Sequence, residues 1–244
     1  NMSHELRTPL NSIMALSRVL LMQAKDKLDD EENSYLEIVE RNGKRLLSLI
    51  NDILDLSKIE AGKMEVFPKK TPLASLLRNV IENLQSLSDE KGIGLQLHIP
   101  DKLPEIETEE SKLHQVLTNI LGNSIKFTEK GGIDVFVNYN SDHVFIQVKD
   151  TGIGISKEML PHIFEEFRQA DGTSSRKYQG TGLGLSIAKK LLSILGGKLT
   201  VDSELGTGSV FTIELPVKFH SAIHPVNFVA KVHEIQTHGA KTIL

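Results

Sequence analysis

The sequence predicts an α-helical hairpin, which pairs with a second copy to form a four-helix bundle, followed by a two-layer α+β domain. Three observations predict this fold. Residues 1–61 show helical periodicity without strand-like alternation, and residues 71–217 mix helical segments with alternating strands. The 39% hydrophobic content of the 244 residues is ample for a packed core. We therefore place the hairpin at residues 1–64, the α+β domain at 71–217 and a tail at 218–244.

The hairpin prediction rests on a heptad pattern. Apolar side chains follow one another at alternating intervals of four and three residues, at Met2, Leu6, Pro9, Ile13, Leu16 and Leu20. A charged, loop-like stretch at 25–32 interrupts the pattern, which resumes over 35–59 and ends near Gly62. Two long helices joined by a short loop form an antiparallel hairpin. Because a hairpin this apolar cannot bury both its faces alone, we expect a homodimer.

The second region combines helices with strands. Helical patterns cover residues 72–91, 111–126 and 183–195, whereas strand patterns cover 93–99, 133–139, 143–149, 198–203 and 210–215. Since neighbouring antiparallel strands accompany the helices, a two-layer α+β sandwich is favoured over a doubly wound parallel sheet. We interpret residues 67–72 as the linker between hairpin and domain.

Composition excludes several classes of protein. The chain has no Cys, which rules out disulfides and thiolate metal sites, and its net charge of −4 argues against a nucleic-acid partner. It has no apolar run of about 18 residues, so we expect this fragment to be cytoplasmic without membrane contact, any anchor lying elsewhere in the full-length protein. Four of the nine His lie in the tail, where scattered, solvent-exposed His is favoured over a metal cluster.

His4 is the first residue that could carry chemistry. The heptad places His4 and Thr8 on the outer face of the helix, flanked by Glu5 and Arg7. A helical His is ordinarily a plain surface residue. Pro9, however, removes the backbone hydrogen bond to the carbonyl of Glu5, so we expect the helix to bend there. A Pro inside a helix destabilises it, so Pro9 beside the exposed His4 suggests a function. The alternative is a helix that simply tolerates a kink, which would show the same sequence pattern.

Two glycine-rich runs favour a nucleotide site. Residues 150–155 end a strand, where Gly152 and Gly154 permit a tight turn and Asp150, pointing out of the strand end, can accept from an adenine amine. The second run leads into a helix whose free N–H groups could cradle an anion, and comprises Gly180, Thr181, Gly182, Leu183 and Gly184. The pattern fits neither a Rossmann site nor a P-loop. Each run alone could be an ordinary loop, but two in one domain predict nucleotide binding.

A polar stripe and a loop complete the candidates. Asn119, Asn123 and Lys126 share one helix face, where an amide oxygen suits Mg²⁺ and the Lys suits phosphate. A solvated helix face is the alternative. Residues 164–171 and the small or polar residues after them have the composition of a mobile lid, or of a plain surface loop.

Together these segments resemble the sensor histidine kinases of two-component signalling. The match covers nearly all of residues 1–217. Five family boxes occur in order: the H-box at 3–11, the N-box at 114–128, the G1 box at 150–155, the F-box at 164–167 and the G2 box at 180–185. The resemblance implies an ATP-binding domain of the histidine kinase and Hsp90-like ATPase type, and residues 168–184 as the ATP lid.

The resemblance also implies roles for single residues. His4 would accept the γ-phosphoryl group of ATP, Glu5 would act as its acid/base partner, and Thr8 would position water when the protein dephosphorylates its partner. The nucleotide-site roles are Mg²⁺ binding by Asn123, phosphate contacts by Asn119 and Lys126, and adenine recognition by Asp150. The implied partners are a second copy of the chain and the receiver domain of a response regulator, whose aspartate takes the phosphoryl group.

Some features depart from the family pattern. Gln179 precedes the G2 box where glycine is frequent, and Ser124 stands where Ala is common. The chain begins three residues before His4, so we expect weaker dimerisation. Residues 240–244 resemble the first strand of a receiver domain, which predicts a hybrid kinase with 218–239 as linker.

Two other functions compete with this one. The first is another ATPase of the same fold, related to Hsp90, gyrase or mismatch-repair proteins, which would have no reason to carry the H-box hairpin. The second is a dimeric scaffold that binds nucleotide without transferring phosphate. Label transferred to His4 would exclude the first, and tight ATP binding without phosphorylation would favour the second.

Overall fold

The computed structural model describes residues 2–24, 28–168 and 181–219, with side chains described from residue 7 and not at 23–27. The helices are α1 Met2–Ala24, α2 Asp30–Glu60, α3 Leu73–Lys91, α4 Glu110–Phe127 and α5 Gly184–Ile194, with a short 3₁₀ turn at Leu160–His162. The strands are β1 Lys69–Thr71, β2 Gly94–His98, β3 Ile106–Thr108, β4 Gly132–Tyr139, β5 His143–Asp150, β6 Lys198–Glu204 and β7 Gly208–Pro216.

Helices α1 and α2 form the predicted antiparallel hairpin. Arg7 donates to Asn51 Oδ1 at 2.9 Å, and Arg18 donates to Glu40 at 2.7 Å, so residue numbers fall along α2 as they rise along α1. The helix α1 continues through Pro9. A capping box formed by Asp29 and Glu32 starts α2 at Asp30, inside the stretch predicted as loop.

The main sheet has five strands in the order β2-β4-β5-β7-β6. The neighbouring strands β4 and β5 pair antiparallel as predicted, and so do β6 and β7. Strands β5 and β7 also pair antiparallel, whereas β2 pairs parallel with β4. The sheet is therefore mixed. Alternate side chains of β4, Ile133, Val135 and Val137, are buried in the core that the helices cover.

A second, two-stranded sheet includes β1, which lies in the segment predicted as linker. Strand β1 pairs antiparallel with β3, with Thr71 opposite Ile106. The backbone N–H of Glu107 donates to the carbonyl of Val217 at 2.9 Å, which joins this small sheet to the end of β7. Residues 69–71 thus belong structurally to the α+β domain. Three-residue strands are too short for a periodic pattern, which is why the sequence did not predict them.

The hairpin packs against the α+β domain through the last turns of α2. Leu56 is only 6% exposed and belongs to the main hydrophobic core, and Leu49 and Ile59 pack against the same core. Gln115 of α4 donates to Asp55 Oδ2 at 3.0 Å. Within the ranges that the structure describes, no helix combines the length and apolar character needed to cross a membrane.

Candidate functional site

Asp150, the last residue of β5, lies at the centre of the candidate nucleotide site. The side chain is 6% exposed and is enclosed, rather than projecting from the strand end as expected. Its Oδ1 accepts from the backbone N–H groups of Gly152 at 3.0 Å and Ser209 at 3.2 Å, and its Oδ2 accepts from Ser124 Oγ at 3.2 Å. Since a carboxylate offers about four lone-pair positions, one position on Oδ2 can still accept.

The environment of Asp150 changes its acidity. Burial raises the pKa of the Asp150 carboxyl above its ordinary value, while the hydrogen bonds from Gly152, Ser124 and Ser209 oppose that rise. Three donors already fix the orientation of the carboxylate, so its remaining acceptor position is preorganised.

The glycines of the first run are required by close packing. A Cβ on Gly152 would lie 2.7 Å from the carbonyl oxygen of Phe127. Gly154 has φ of +67°, and a Cβ there would lie 2.0 Å from the carbonyl oxygen of Glu204. The predicted tight turn is therefore present, and the close approach it permits in this structure is to the protein's own backbone.

The polar stripe of α4 meets the start of α5. Asn119 Nδ2 donates to the carbonyl of Gly184 at 3.1 Å, which brings the predicted N-box and G2 box together although 65 residues separate these two positions. Asn123 is half-buried, and its side chain makes no hydrogen bond to another described residue. Its amide oxygen is therefore available as a ligand.

Lys126 places a cation at the end of the same stripe. Its Nζ lies 4.6 Å from the centroid of the Phe127 ring. Burial lowers the pKa of the Lys126 ammonium, and the positive charge of Arg45 on α2 lowers it further. An anion at this position would relieve both effects, so the electrostatics favour phosphate here.

Most of the second glycine run is described. Gly182 has φ of +74°, and a Cβ there would lie 2.9 Å from the backbone of Phe167. The N–H of Leu183 donates to Thr181 Oγ1 at 3.2 Å, and α5 begins at Gly184. Gly180 and residues 169–179, which include most of the predicted lid, lie outside the described residues, as do residues 220–244 with the four His of the tail.

The H-box lies on α1. His4 and Glu5 fall within the helix, and their side chains lie outside the described set, whereas Thr8, four residues on, is exposed. Among the heptad positions whose side chains are described, Ile13 is 52%, Leu16 is 65% and Leu20 is 49% exposed. A stripe of exposed apolar side chains is typical of a surface that binds a partner.

Sequence reasoning missed some residues of the site. Ser124 is 2% exposed and Ser209 is 6% exposed, and both hold Asp150. Ser124 drew notice only as a departure from the family pattern. Its partner lies 26 residues away, and Ser209 lies 59 residues from Asp150, so no local spacing could reveal either contact.

No three or more His, Asp or Glu side chains cluster as a metal site in the part of the chain that the structure describes. A hard cation bound at Asn123 would take the amide oxygen of this residue as its protein ligand. Phosphate and water oxygens would complete its coordination shell. That donor set suits Mg²⁺, which usually keeps several waters and shares its shell with substrate phosphates. The residues present therefore fit this cation.

Two family models match the chain. Residues 1–62 match the His Kinase A (phospho-acceptor) domain, and residues 108–218 match the histidine kinase-, DNA gyrase B- and HSP90-like ATPase domain. Together the two matches account for more than two thirds of the 244 residues.

Similar proteins agree with these models. The chain is 41% identical over 224 residues to hybrid signal transduction histidine kinase L of Dictyostelium discoideum, with 89% of this chain and 13% of that protein covered. It is 41% identical over 217 residues to the signal transduction histidine-protein kinase BarA of Escherichia coli, with 86% and 23% covered. The chain thus spans less than a quarter of the length of these two relatives.

A solved structure with the same architecture is full-length ShkA in complex with AMPPNP. The TM-score is 0.77 at 36% sequence identity, and the match covers 91% of this chain and 46% of that one. The histidine kinase AdeS of Acinetobacter baumannii, at 21% identity and a TM-score of 0.63, shares the fold.

Proposed function

This chain belongs to the sensor histidine kinases of two-component signalling, and on that premise we propose that its α+β domain binds Mg·ATP and transfers the γ-phosphoryl group to His4. The observation that carries the proposal is the enclosed Asp150 centre, which lies in the same chain as an H-box hairpin packed against that domain. The chain spans only part of the length of its relatives, so we propose the activity and the partners of the whole protein as well.

Adenine is recognised by Asp150. Its Oδ2 retains an acceptor position after Ser124 has donated, and an exocyclic amine is a donor of the right kind. The rigid turn at Gly152 and Gly154 keeps the carboxylate in place. A preorganised acceptor loses little conformational entropy when the base binds.

The phosphates lie between α4 and the start of α5. Lys126 neutralises phosphate charge and Asn119 contributes an amide. The backbone N–H groups in the first turn of α5, which begins at Gly184, supply further donors to the anion. Asn123 would hold Mg²⁺ through its amide oxygen. A metal ion held there would supply positive charge beside the phosphate oxygens, which favours the departure of ADP.

Phosphoryl transfer then needs only His4 and Glu5 from the hairpin. A ring nitrogen of His4 forms a bond to the γ-phosphorus with its lone pair, the bond between that phosphorus and the β–γ bridging oxygen breaks, and ADP leaves. Glu5 accepts the proton that the other ring nitrogen gives up and orients the imidazole. Positioning and charge neutralisation account for most of such catalysis.

The partners are a second copy of the chain and a receiver domain. The exposed stripe at Ile13 and Leu16 supports dimerisation into a four-helix bundle. The phosphoryl group passes from His4 to an aspartate of the receiver domain of a response regulator. Thr8, exposed one turn beyond His4, would position the water that later removes that phosphoryl group, which makes the protein a phosphatase of the same regulator.

The test is incubation of the chain with γ-labelled ATP with and without Mg²⁺. We expect protein-bound label that is stable to base, labile to acid and dependent on Mg²⁺. Asn123→Ala should abolish labelling, whereas Asn138→Ala, at an exposed position of β4, should leave it unchanged. Hydrolysis of ATP without label on the protein would instead favour an ATPase of the Hsp90 type.

A further inference from the structure

Lys190 of α5 joins three separate parts of the molecule. Its Nζ lies 2.8 Å from Glu60 Oε1, at the last residue of α2, and 2.6 Å from Glu166 Oε1, in the F-box. One side chain of the nucleotide-binding domain therefore contacts both the end of the hairpin and the segment that precedes the second glycine run.

The two ion pairs of Lys190, with Glu60 and Glu166, form a bridge in which the charges stabilise one another. Partial burial alone would lower the pKa of Lys190, but hydrogen bonds to Glu166 and Glu60 raise it above its ordinary value. The hydrogen bond from Lys190 lowers the pKa of Glu60. The neighbouring Lys189 holds its Nζ 4.6 Å from the centroid of the Phe164 ring, so two consecutive lysines hold the F-box against α5.

Further contacts fix the position of the α+β domain along the axis of the hairpin. Gln115 binds Asp55 at 3.0 Å, and Leu56 is buried in the domain core. Together with the bridge at Glu60, these contacts attach the domain to the last two turns of α2. A domain held at several points on one helix has a defined axial position.

That axial position matters for His4. The pairs Arg7–Asn51 and Arg18–Glu40 set the register of the hairpin, which puts His4 level with residue 54 of α2, beside Asp55. On α4, Asn119 lies one turn, about 6 Å, from Gln115. The attachment therefore places the start of the candidate phosphate site near the level of the phosphoacceptor.

We propose that Lys190 is a positioning residue for phosphoryl transfer, which holds the nucleotide-binding domain at the level of His4 by bridging Glu60 and Glu166. The inference rests on the proposed function, because it concerns the rate of the same reaction. Lys190 itself touches neither nucleotide nor His4 in this role. Its loss should therefore change the rate of transfer and leave ATP affinity unchanged.

The test compares variants of the full chain by initial rates of His4 labelling over a range of Mg·ATP concentrations. Lys190→Met should lower kcat about two- to fivefold with KM unchanged, the range expected for a partly exposed charge bridge. Lys190→Arg should retain most of the rate. Glu60→Gln should lower kcat as well, and it should add no further loss in the Lys190→Met background.

Matched controls are Lys198→Met on β6 and Glu37→Gln on α2, both at exposed positions, which should leave kcat unchanged. An equal or higher kcat for Lys190→Met would overturn the inference, and so would an effect confined to KM. Additive losses in the Glu60 and Lys190 double variant would also overturn it. An unlabelled wild-type chain would be a different result, since it contradicts the proposed function itself.

Discussion

The hairpin and the α+β domain differ in how completely they bury their apolar side chains. In the described part of the hairpin, Leu10 and Leu56 are the buried hydrophobic residues, and Leu56 is buried by the other domain. In the α+β domain the inward positions of the sheet and helices form one large core, with many side chains fully enclosed. The α+β domain thus buries its apolar side chains within one chain, whereas the hairpin needs another surface to bury its own.

The two functional regions differ in the same way. The carboxylate of Asp150 is held by three donors of its own domain, which belong to Gly152 in the next turn, Ser124 on α4 and Ser209 on β7. In the described part of the H-box, Thr8 is exposed to solvent. The candidate nucleotide site is therefore held in place by its own domain, whereas Thr8 of the H-box is open to other surfaces.

The largest expected effect concerns the exposed stripe of the hairpin. Leu16→Asp should weaken the dimer by about 100-fold or more, because each copy loses the burial of a leucine and gains a desolvated charge. Sedimentation equilibrium measures the change. Leu205→Asp is the matched control, since Leu205 of the α+β domain is 66% exposed against 65% for Leu16. Equal dimer strength in both variants would place the dimer interface elsewhere.

Gly154 tests how closely the backbone is packed inside the α+β domain. Gly154→Ala should cost about 2–3 kcal/mol of unfolding free energy, because φ is positive and the new Cβ would overlap the carbonyl of Glu204. Gly206→Ala should cost only about 1 kcal/mol. Gly206 also has a positive φ, of +82°, but nothing within 4 Å of its Cβ position. Denaturant unfolding of the two variants separates overlap from backbone strain, and equal losses would contradict the packing argument.

Asp150 tests whether the nucleotide site is preformed. Asp150→Asn should weaken ATP binding about 10- to 50-fold, because the amide replaces an acceptor oxygen with a donor in a site that already holds three donors. Calorimetric titration with ATP measures the affinity. Asp202→Asn, at an exposed position of β6, is the control and should bind normally. Unchanged affinity in Asp150→Asn would show that this carboxylate does not contact the base.

The smallest expected effect concerns a carboxylate of α2. Burial raises the pKa of Asp52 to about 6 from 3.8, and the charge of Asp55 adds to the rise. Since the pKa of Asp52 is higher in the folded state than in the unfolded chain, its contribution to stability is most favourable below about pH 4 and is lost as the pH rises through about 6. Once Asp52 is ionised in both states, it lowers the free energy of unfolding by about 1 kcal/mol. Asp52→Asn should therefore raise stability at pH 7 and have no such effect near pH 4.

Denaturant unfolding at the two pH values measures this difference, with Asp101→Asn in an exposed loop as the control. A gain in Asp52→Asn that is the same at both pH values would show that ionisation of Asp52 is not its cause.

Elements with a long periodic pattern could be predicted from the sequence. The helix expected at 111–126 is Glu110–Phe127, and the strand expected at 133–139 is Gly132–Tyr139. The start of α2 was placed too late, because the charged residues that resemble a loop form its capping box and first turn. The three-residue strands β1 and β3 carry too little pattern to be found.

The motifs of the candidate site could be predicted from the sequence, but the contacts between them could not. Spacing along one helix put Asn119, Asn123 and Lys126 on a single stripe, and the glycine runs marked the turns. The contacts around these motifs connect residues far apart in sequence, such as Lys190 of α5 and Glu60 of α2, which are separated by 130 positions. Such pairs depend on how domains pack, and local patterns carry no information about that.

The measurement that tests the central claim most directly compares His4→Ala with Asp150→Asn for both ATP binding and labelling by γ-labelled ATP. If the hairpin accepts and the domain binds, His4→Ala should bind ATP with wild-type affinity and carry no label. Asp150→Asn should lose both binding and label at the same ATP concentration. Base-stable, acid-labile label that persists on His4→Ala would contradict the account.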